Sequence, residues 1–489
     1  MAMRAGLLLI LGLGLLLSPQ ATADEPAAAT CIACHKGGEQ AGVAKDSVHG
    51  AFDCSLCHGS LKGHVEKNEK VVAGAALQHC KNCHAEEVKA ISASVHTTGK
   101  FREESTGAVR CQLCHGSIHN LRAHGTINNL CSGCHGGRVL GVQFGVLAVQ
   151  LGADGKMLGS DLGSFHSSMT AHEGRKGPNC IDCHSNHGIK AAGDPTSRLA
   201  LPARVKVCSE CHDRASVAFA STFSHKPVDV KNQPVLAGIQ FAFSLAIVFT
   251  VLMVGFLILL DAGRSFVNML RGIPAPTWPH ADPRQPARFD VATRLQHGCI
   301  MICFLVLVLT GWPLLASSID PSRHLLDKLG GPNGAATIHK TAGAVMILVA
   351  IFHLGWLLRR KAAGQFTFSM KPCWSDLKDV GRFLVGRQYP PAGETRPRYD
   401  WIEKLEYWAL SGGILIMAAS GIIMWLSAAV VEFLPPAAIP IAHTIHSLNG
   451  VLATVLVLIW HLYNVHLKRG IFPMNWTWLT GHIRPPWSR

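Results

Sequence analysis

The pattern of apolar and polar positions divides the chain near residue 236. From 236 to 260 run twenty-five residues without a charge, long enough to cross a bilayer as one helix. Four more apolar stretches follow, roughly 295–315, 336–358, 407–431 and 441–466, and they predict four further membrane helices. Before residue 236 the pattern reverses. The stretch 24–235 is rich in Gly, Ser, Lys and His and poor in long apolar runs, so it predicts short helices and loops with little apolar core of their own. One segment there, GVQFGVLAVQLGADGKMLGSDLG (141–163), alternates around a turn-like Ala-Asp-Gly-Lys and predicts a β-hairpin. The first residues, MAMRAGLLLILGLGLLLSPQATADE, combine Arg4, an apolar run to Leu17 and Ala21-Thr22-Ala23. They read as a secretory signal peptide, 1–23, so the segment behind it is expected to be exported.

Charge adds orientation. Of the connections between apolar stretches, one carries Arg264, Arg271, Arg284, Arg288 and Arg294, and another begins Arg359-Arg360-Lys361. The last stretch is followed by Lys468-Arg469, whereas 318–335 and 432–440 are short and poor in basic residues. The positive-inside rule then places the N-terminal half outside and the C-terminus in the cytoplasm. Much of the net charge of +14 is this topogenic signal, which makes it a poor argument for nucleic acid.

Cysteine spacing supplies the chemistry. CxxCH occurs seven times, all before residue 213, and takes fourteen of the seventeen cysteines. The thiol pairs are Cys31 with Cys34, Cys54 with Cys57, Cys80 with Cys83, Cys111 with Cys114, Cys131 with Cys134, Cys180 with Cys183, and Cys208 with Cys211. Each pair is followed directly by a histidine: His35, His58, His84, His115, His135, His184 and His212. This is the box that attaches a c-type haem through two thioethers and offers the adjacent histidine to the iron. Zinc knuckles and thioredoxin-like motifs need no histidine after every second cysteine.

The boxes fall into a repeat of two haems. A plain CxxCH is followed by Ser-x-His, then by a second CxxCH and a further histidine. The additional histidines are His49 and His64 in the first unit, His96 and His119 (or His124) in the second, His166 and His187 in the third, and His225 in a closing half unit. Seven boxes thus meet seven spare histidines, with His79, His124 and His172 in surplus. Only Met157 and Met169 are available as methionine ligands in the exported half, so low-potential haems with two histidine ligands are expected. His187 is too close in sequence to His184 to pass around its own porphyrin, and is expected to reach a neighbouring iron.

Histidines also fall inside the apolar stretches, where ionisable groups are functional candidates. His339 and His353 lie fourteen apart, His446 and His461 fifteen apart, and His297 stands at the start of the second stretch. At 1.5 Å per residue such pairs are about 21 Å apart along a helix, one near each face of the bilayer. Two ligand sets fit two stacked b haems: His339 with His446 on one side, and on the other His461 with either His353 or His297. Beside the inner haem, His353, Glu403, Glu406 and His466 are candidates to take protons from a quinol. Cys299 and Cys303 read as small packing residues and Cys373 as a free thiol.

The segments RLQHGCIMICFLVLVLTGWPL, IHKTAGAVMILVAIFH, KLEYWALSGGILIMAASGIIMWL and IHSLNGVLATVLVLIWHLYNVHLKRG resemble the four core helices of the dihaem cytochrome b subunits of formate dehydrogenases and nickel-iron hydrogenases. The resemblance implies His297, His339, His446 and His461 as the b-haem ligands. Two features depart from that family: the spacing of fifteen in the last helix, where fourteen is usual, and the extra His353. Fusion of such a part to a multihaem c domain resembles the inner-membrane quinol:cytochrome c oxidoreductases of metal-reducing bacteria. That resemblance implies oxidation of menaquinol, or ubiquinol, at the membrane and transfer to periplasmic cytochromes or other carriers.

The expected architecture is mainly α: a signal peptide (1–23), a loop-rich heptahaem cytochrome c domain (24–230), a tether helix (236–260), a dihaem cytochrome b domain (288–470) and a cytoplasmic tail (471–489). Two other functions fit the same residues. One is a multihaem terminal reductase, which needs an open iron position. The other is a membrane anchor that feeds electrons from a dehydrogenase or hydrogenase to quinone.

Overall fold

The computed structural model describes residues 49, 56, 62–67, 76–98, 111, 114–115, 131, 178, 180–191, 193–222, 231, 233–274, 288–316, 320–364, 369–386 and 399–482. The expected signal peptide and the hairpin at 141–163 lie outside the described residues. So do Cys31, Cys34, His35, Cys54, Cys57, His58, His119, Cys134, His135, His166 and His225. The chain divides into two compact units, 1–130 with 179–203, and 131–178 with 204–489.

Among the described residues the fold is helical, with no strand. The first unit has short helices, α1 (Lys62–Lys67), α2 (Ala76–Cys83), α3 (Ala85–Ser92), α4 (Val95–Thr98) and α5 (Cys180–His184), of which α2 and α5 carry boxes. The box ending in His84 closes α2, and the one ending in His184 is α5 itself, a single helical turn. At the turn between α3 and α4, Ser94 is fully inaccessible and Thr97 Oγ1 donates to the carbonyl of Ile91 at 2.7 Å.

The second unit takes most of α6 (Leu201–Ser209), which carries Cys208, and then α7 (Val217–Ser221), capped by Ser216. Five long apolar helices follow: α8 (Pro234–Leu270), α9 (Val291–Leu315), α11 (Gly331–Ala362), α13 (Trp401–Trp425) and α15 (Ala438–Val455) with its π-helical continuation to Leu467. All five are long and apolar enough to cross a membrane, as the sequence pattern predicts. Their exposed faces carry large apolar side chains such as Phe241, Leu259 and Leu415, as lipid-facing surfaces do. Shorter helices join them: α10 (Asp320–Lys328), α12 (Trp374–Leu384), α14 (Ser427–Val430) and α16 (Thr477–Thr480).

Several boundaries differ from the apolar stretches, for local reasons. The fourth membrane helix starts at Trp401 because Asp400 and Glu403 form a reciprocal capping box. It ends at Trp425, where Leu426 leaves helical geometry before α14. The second starts at Val291 because the Asp290 carboxylate accepts the Thr293 N–H at 2.8 Å.

Helices α9 and α11 pack closely as one pair and α13 and α15 as another, with α8 lying along α15. The helix read as a tether is therefore built into the bundle. Tyr463 Oη donates to Asp261 Oδ2 at 2.7 Å, and Arg469 donates to the carbonyls of Ser265 and Ile273. At the same end Val254, Leu257, Trp401, Ile402 and Trp460 form an apolar cluster.

Candidate functional site

Two pairs of histidines face each other inside the bundle. Near the start of α11 and α15, the rings of His339 and His446 have centroids 6.1 Å apart at 65°. Towards the opposite end, His297 on α9 and His461 on the π stretch are 6.5 Å apart at 46°. Two imidazoles sharing one iron, each with a nitrogen about 2 Å from the metal, have centroids about 6 Å apart. Both pairs have that separation.

The first pair is held by a repeated device. Thr310 and Gly311 on α9 back His339, and Ser420 and Gly421 on α13 back His446. The hydroxyl of Thr310 lies 2.8 Å from His339 Nδ1, and that of Ser420 lies 3.0 Å from His446 Nδ1. Each hydroxyl also donates back to its own helix, to Val306 and Ile416. A hydroxyl hydrogen spent on the helix carbonyl leaves the oxygen to accept from Nδ1–H, which directs Nε2 outward as a lone-pair donor. Such partners fix the tautomer of metal-binding histidines. The glycines give the rings room: a Cβ at 311 would lie 3.0 Å from His339 Cε1, and one at 421 would lie 3.2 Å from His446 Cε1, so a side chain there would press on the ring.

The second pair is held differently. Glu406 Oε2 lies 2.8 Å from His461 Nδ1, a carboxylate in the place of the hydroxyl. His297 Nδ1 is buried and has no hydrogen-bond partner, and Trp478 from the C-terminal segment lies 6.2 Å from its ring. That segment folds back against α9, since Arg294 Nη1 donates to the Leu479 carbonyl at 2.6 Å. The facing rings of both pairs, with oriented Nδ1 partners at His339, His446 and His461 and glycines against the first pair, fit two haems of b type.

The extra histidine, His353, is engaged at both nitrogens. Nδ1 lies 2.7 Å from Gln296 Oε1 and Nε2 lies 3.1 Å from Tyr407 Oη. Because the amide oxygen only accepts, Nδ1 carries the proton and Tyr407 donates to Nε2. This chain ties α9, α11 and α13 together one residue from His297. Sequence depth alone missed it, and Gln296 and Tyr407 carry no signal that singles them out.

The two carboxylates at the start of α13 also differ. Arg288 Nη2 donates to both Glu403 oxygens, at 2.6 and 2.8 Å, and the Asp400 N–H donates to Oε2 at 3.0 Å. Glu403 is thus part of a helix cap and an ion pair. Glu406 instead lines a small cleft with Leu405, Leu410, Leu456, Trp460 and His461.

The spacing of fifteen between His446 and His461 has a structural answer. Fifteen α-helical residues would rotate His461 about 60° past the His446 face. The chain from Leu456 to His461 is π-helical, as is Tyr463–Leu467, and each π turn takes up roughly one extra residue. The additional residue is absorbed, and both rings face their partners.

In the N-terminal half, the cysteines of the described boxes form no disulfide with one another. Cys180 and Cys183 stand almost one turn apart on α5, both half-buried, with His184 directly behind. Cys208 lies half-buried in the last turn of α6, and Cys211 is exposed just past the helix end, where its N–H donates to the Cys208 carbonyl at 3.2 Å. The His212 N–H reaches the same carbonyl at 2.9 Å, and its ring lies 4.9 Å from that of Phe219. Cys83 and Cys114 are exposed as well, beside half-buried Cys80 and Cys111. In three of these boxes the first thiol is thus partly covered and the second open, while in the fourth both are partly covered. The helical turn Cys180–His184 presents its two thiols and the histidine as one local group. No group of three or more metal-ligating side chains gathers into a single metal cluster among the described residues.

Residues 288–472 match the family described as prokaryotic cytochrome b561. The chain is 25% identical over 215 residues to the formate dehydrogenase cytochrome b556(fdo) subunit of Escherichia coli strain K12, an alignment covering 41% of this chain and 91% of that one. The same subunits of Escherichia coli O6:H1 and O157:H7 align with the same figures. The C-terminal part of the chain, with five helices long and apolar enough to cross a membrane, is thus similar to cytochrome b561-type membrane electron-transfer subunits, among them a formate dehydrogenase cytochrome b subunit.

Proposed function

We propose that the protein oxidises quinol in the membrane and passes the electrons through two b haems to seven c haems on the outer side. The observation that carries this reading is the pairing of four membrane histidines into two facing sets, in one chain with seven CxxCH boxes. His339 with His446 would hold the outer haem and His297 with His461 the inner one. His353 is better used as the hydrogen-bonded pin between Gln296 and Tyr407 than as an iron ligand. The haems supply the one-electron steps; the chain supplies ligands, tautomers and a dry path.

The cleft beside Glu406 and His461 is the place for the quinol head group. It opens among apolar side chains where a lipid-soluble ring can enter, and Glu406 stands there to take a proton. Glu403, held by Arg288 and its cap, is withdrawn from that role. The basic connections after α8, α11 and α15 support a cytoplasmic position for this end of the bundle and a periplasmic one for residues 24–230. Periplasmic cytochromes are the natural acceptors.

A second reading is favoured by one observation, the similarity to a formate dehydrogenase subunit. In it the same wire runs inward from a partner dehydrogenase to quinone. Haem analysis tests what both share: purified protein should contain covalent and extractable haem in the ratio of seven boxes to two histidine pairs. Markedly fewer covalent haems would remove the exported wire from the proposal.

A further inference from the structure

In the first unit, two box histidines each face a histidine from another part of the repeat. The ring of His187 lies 5.9 Å from that of His115, with planes 27° apart. The ring of His49 lies 6.0 Å from that of His84, at 56°. These are the separations seen at the two membrane pairs, and the separation expected for two imidazoles on one iron, about 6 Å.

The backbone around His187 is shaped for this placement. Directly after the helical turn Cys180–His184, Ser185 has φ +61°, a left-handed conformation that a non-glycine residue seldom takes. It turns the chain out of the helix within one residue. Past His187, the Ile189 carbonyl accepts the Val95 N–H at 2.8 Å. Gly188 lies against Ala90 closely enough that its Cβ would be 3.8 Å from that of Ala90. The end of the third repeat is therefore laid onto α3 and α4 of the second. In the same place the Cys111 thiol neighbours that of Cys80, so the attachment points of two boxes adjoin.

We infer that His187 is the distal ligand of the haem on Cys111 and Cys114, and His49 that of the haem on Cys80 and Cys83. Both haems of the second repeat then take their distal ligand from outside it, one from the first repeat and one from the third. The haems cross-link segments that are otherwise loop-rich, and the two haem edges meet where Cys80 and Cys111 adjoin. The inference rests on the reading of the boxes as haem sites.

The test uses full-length holoprotein. His187→Met should retain all seven covalent haems while one haem leaves the bis-histidine low-spin population and its midpoint potential rises, as methionine ligation requires. In a Cys111→Ser, Cys114→Ser background the same substitution should change no remaining haem. His49→Met should act likewise on the haem of Cys80 and Cys83. If His187→Met leaves every haem bis-histidine, or if its effect persists in that background, the assignment is overturned. Where the background variant does not accumulate, a map of the unsubstituted holoprotein decides: His187 Nε2 must lie across the iron from His115, and any other distal ligand there refutes the pairing. Fewer than seven covalent haems in the unsubstituted protein would instead defeat the haem reading itself.

Discussion

His297 and His353 lie at similar depth in the bundle, and their ring nitrogens separate them. His353 spends both on Gln296 and Tyr407, whereas His297 faces His461 with Nδ1 unpartnered. His297→Ala should therefore lose the inner b haem, and His353→Ala should keep both b haems with a shifted inner potential; redox-difference spectra of the purified variants check this. If His353→Ala loses one haem and His297→Ala loses none, the ligand assignment is reversed. Glu406→Gln should slow quinol-driven reduction by about 10² or more if the carboxylate takes the proton. The inner haem spectrum serves as the control, since the same group holds His461. At the cap of α9, partial burial raises the Asp290 carboxyl, but bonds from Thr293 and the charge of Arg360 outweigh it and hold it below the usual carboxylate range. A depressed carboxyl stabilises the fold above its ordinary titration range and ceases to do so as pH falls through its lowered value. Asp290→Asn retains an acceptor, and Asp290→Ala should cost about 1 kcal/mol at neutral pH, a difference that shrinks in acid. Thermal melts across pH measure it. Arg360 and Asp290 are both more than a third exposed, so the cap bonds contribute more than the ion pair.

At the level of elements, the five membrane helices were legible because an apolar run of about twenty residues has few alternatives. Their ends were not, since caps such as Asp400 with Glu403 act through single hydrogen bonds that leave no trace in an apolar average. The paired histidines were legible as types and depths. Which rings meet was not, because that depends on rotation about each helix axis. The π stretch illustrates this. The count of fifteen between His446 and His461 looked like a misfit, and only the wider turns after Val455 show how it is absorbed. Deleting Val457 should convert that stretch to α-helix and preserve both b haems. Loss of the inner haem on deletion would mean that the π turns have another cause. Inserting a residue at the same point should cost the inner haem. The CxxCH boxes are a matter of spacing in the sequence, but the facing of His187 and His115 depends on one left-handed residue, Ser185, that sequence does not announce.

For the whole molecule, the proposal of two redox parts in one chain requires that electrons pass between the membrane bundle and the CxxCH boxes. The membrane part is similar to cytochrome b561-type subunits, and the N-terminal part carries the seven CxxCH boxes. Helix α8, the first to follow the boxes in the chain, lies against α15 and bonds to it near the inner histidine pair, so it is a rigid member of the bundle. The decisive measurement is rapid mixing of the oxidised, full-length holoprotein in lipid nanodiscs with menaquinol, following b and c haem absorbance separately. Quinol oxidation through the bundle predicts that the b haems reduce first and the c haems follow, and that His297→Ala abolishes the c-haem phase. Reduction of the b haems with no reduction of the c haems, or c-haem reduction undiminished in His297→Ala, would contradict it.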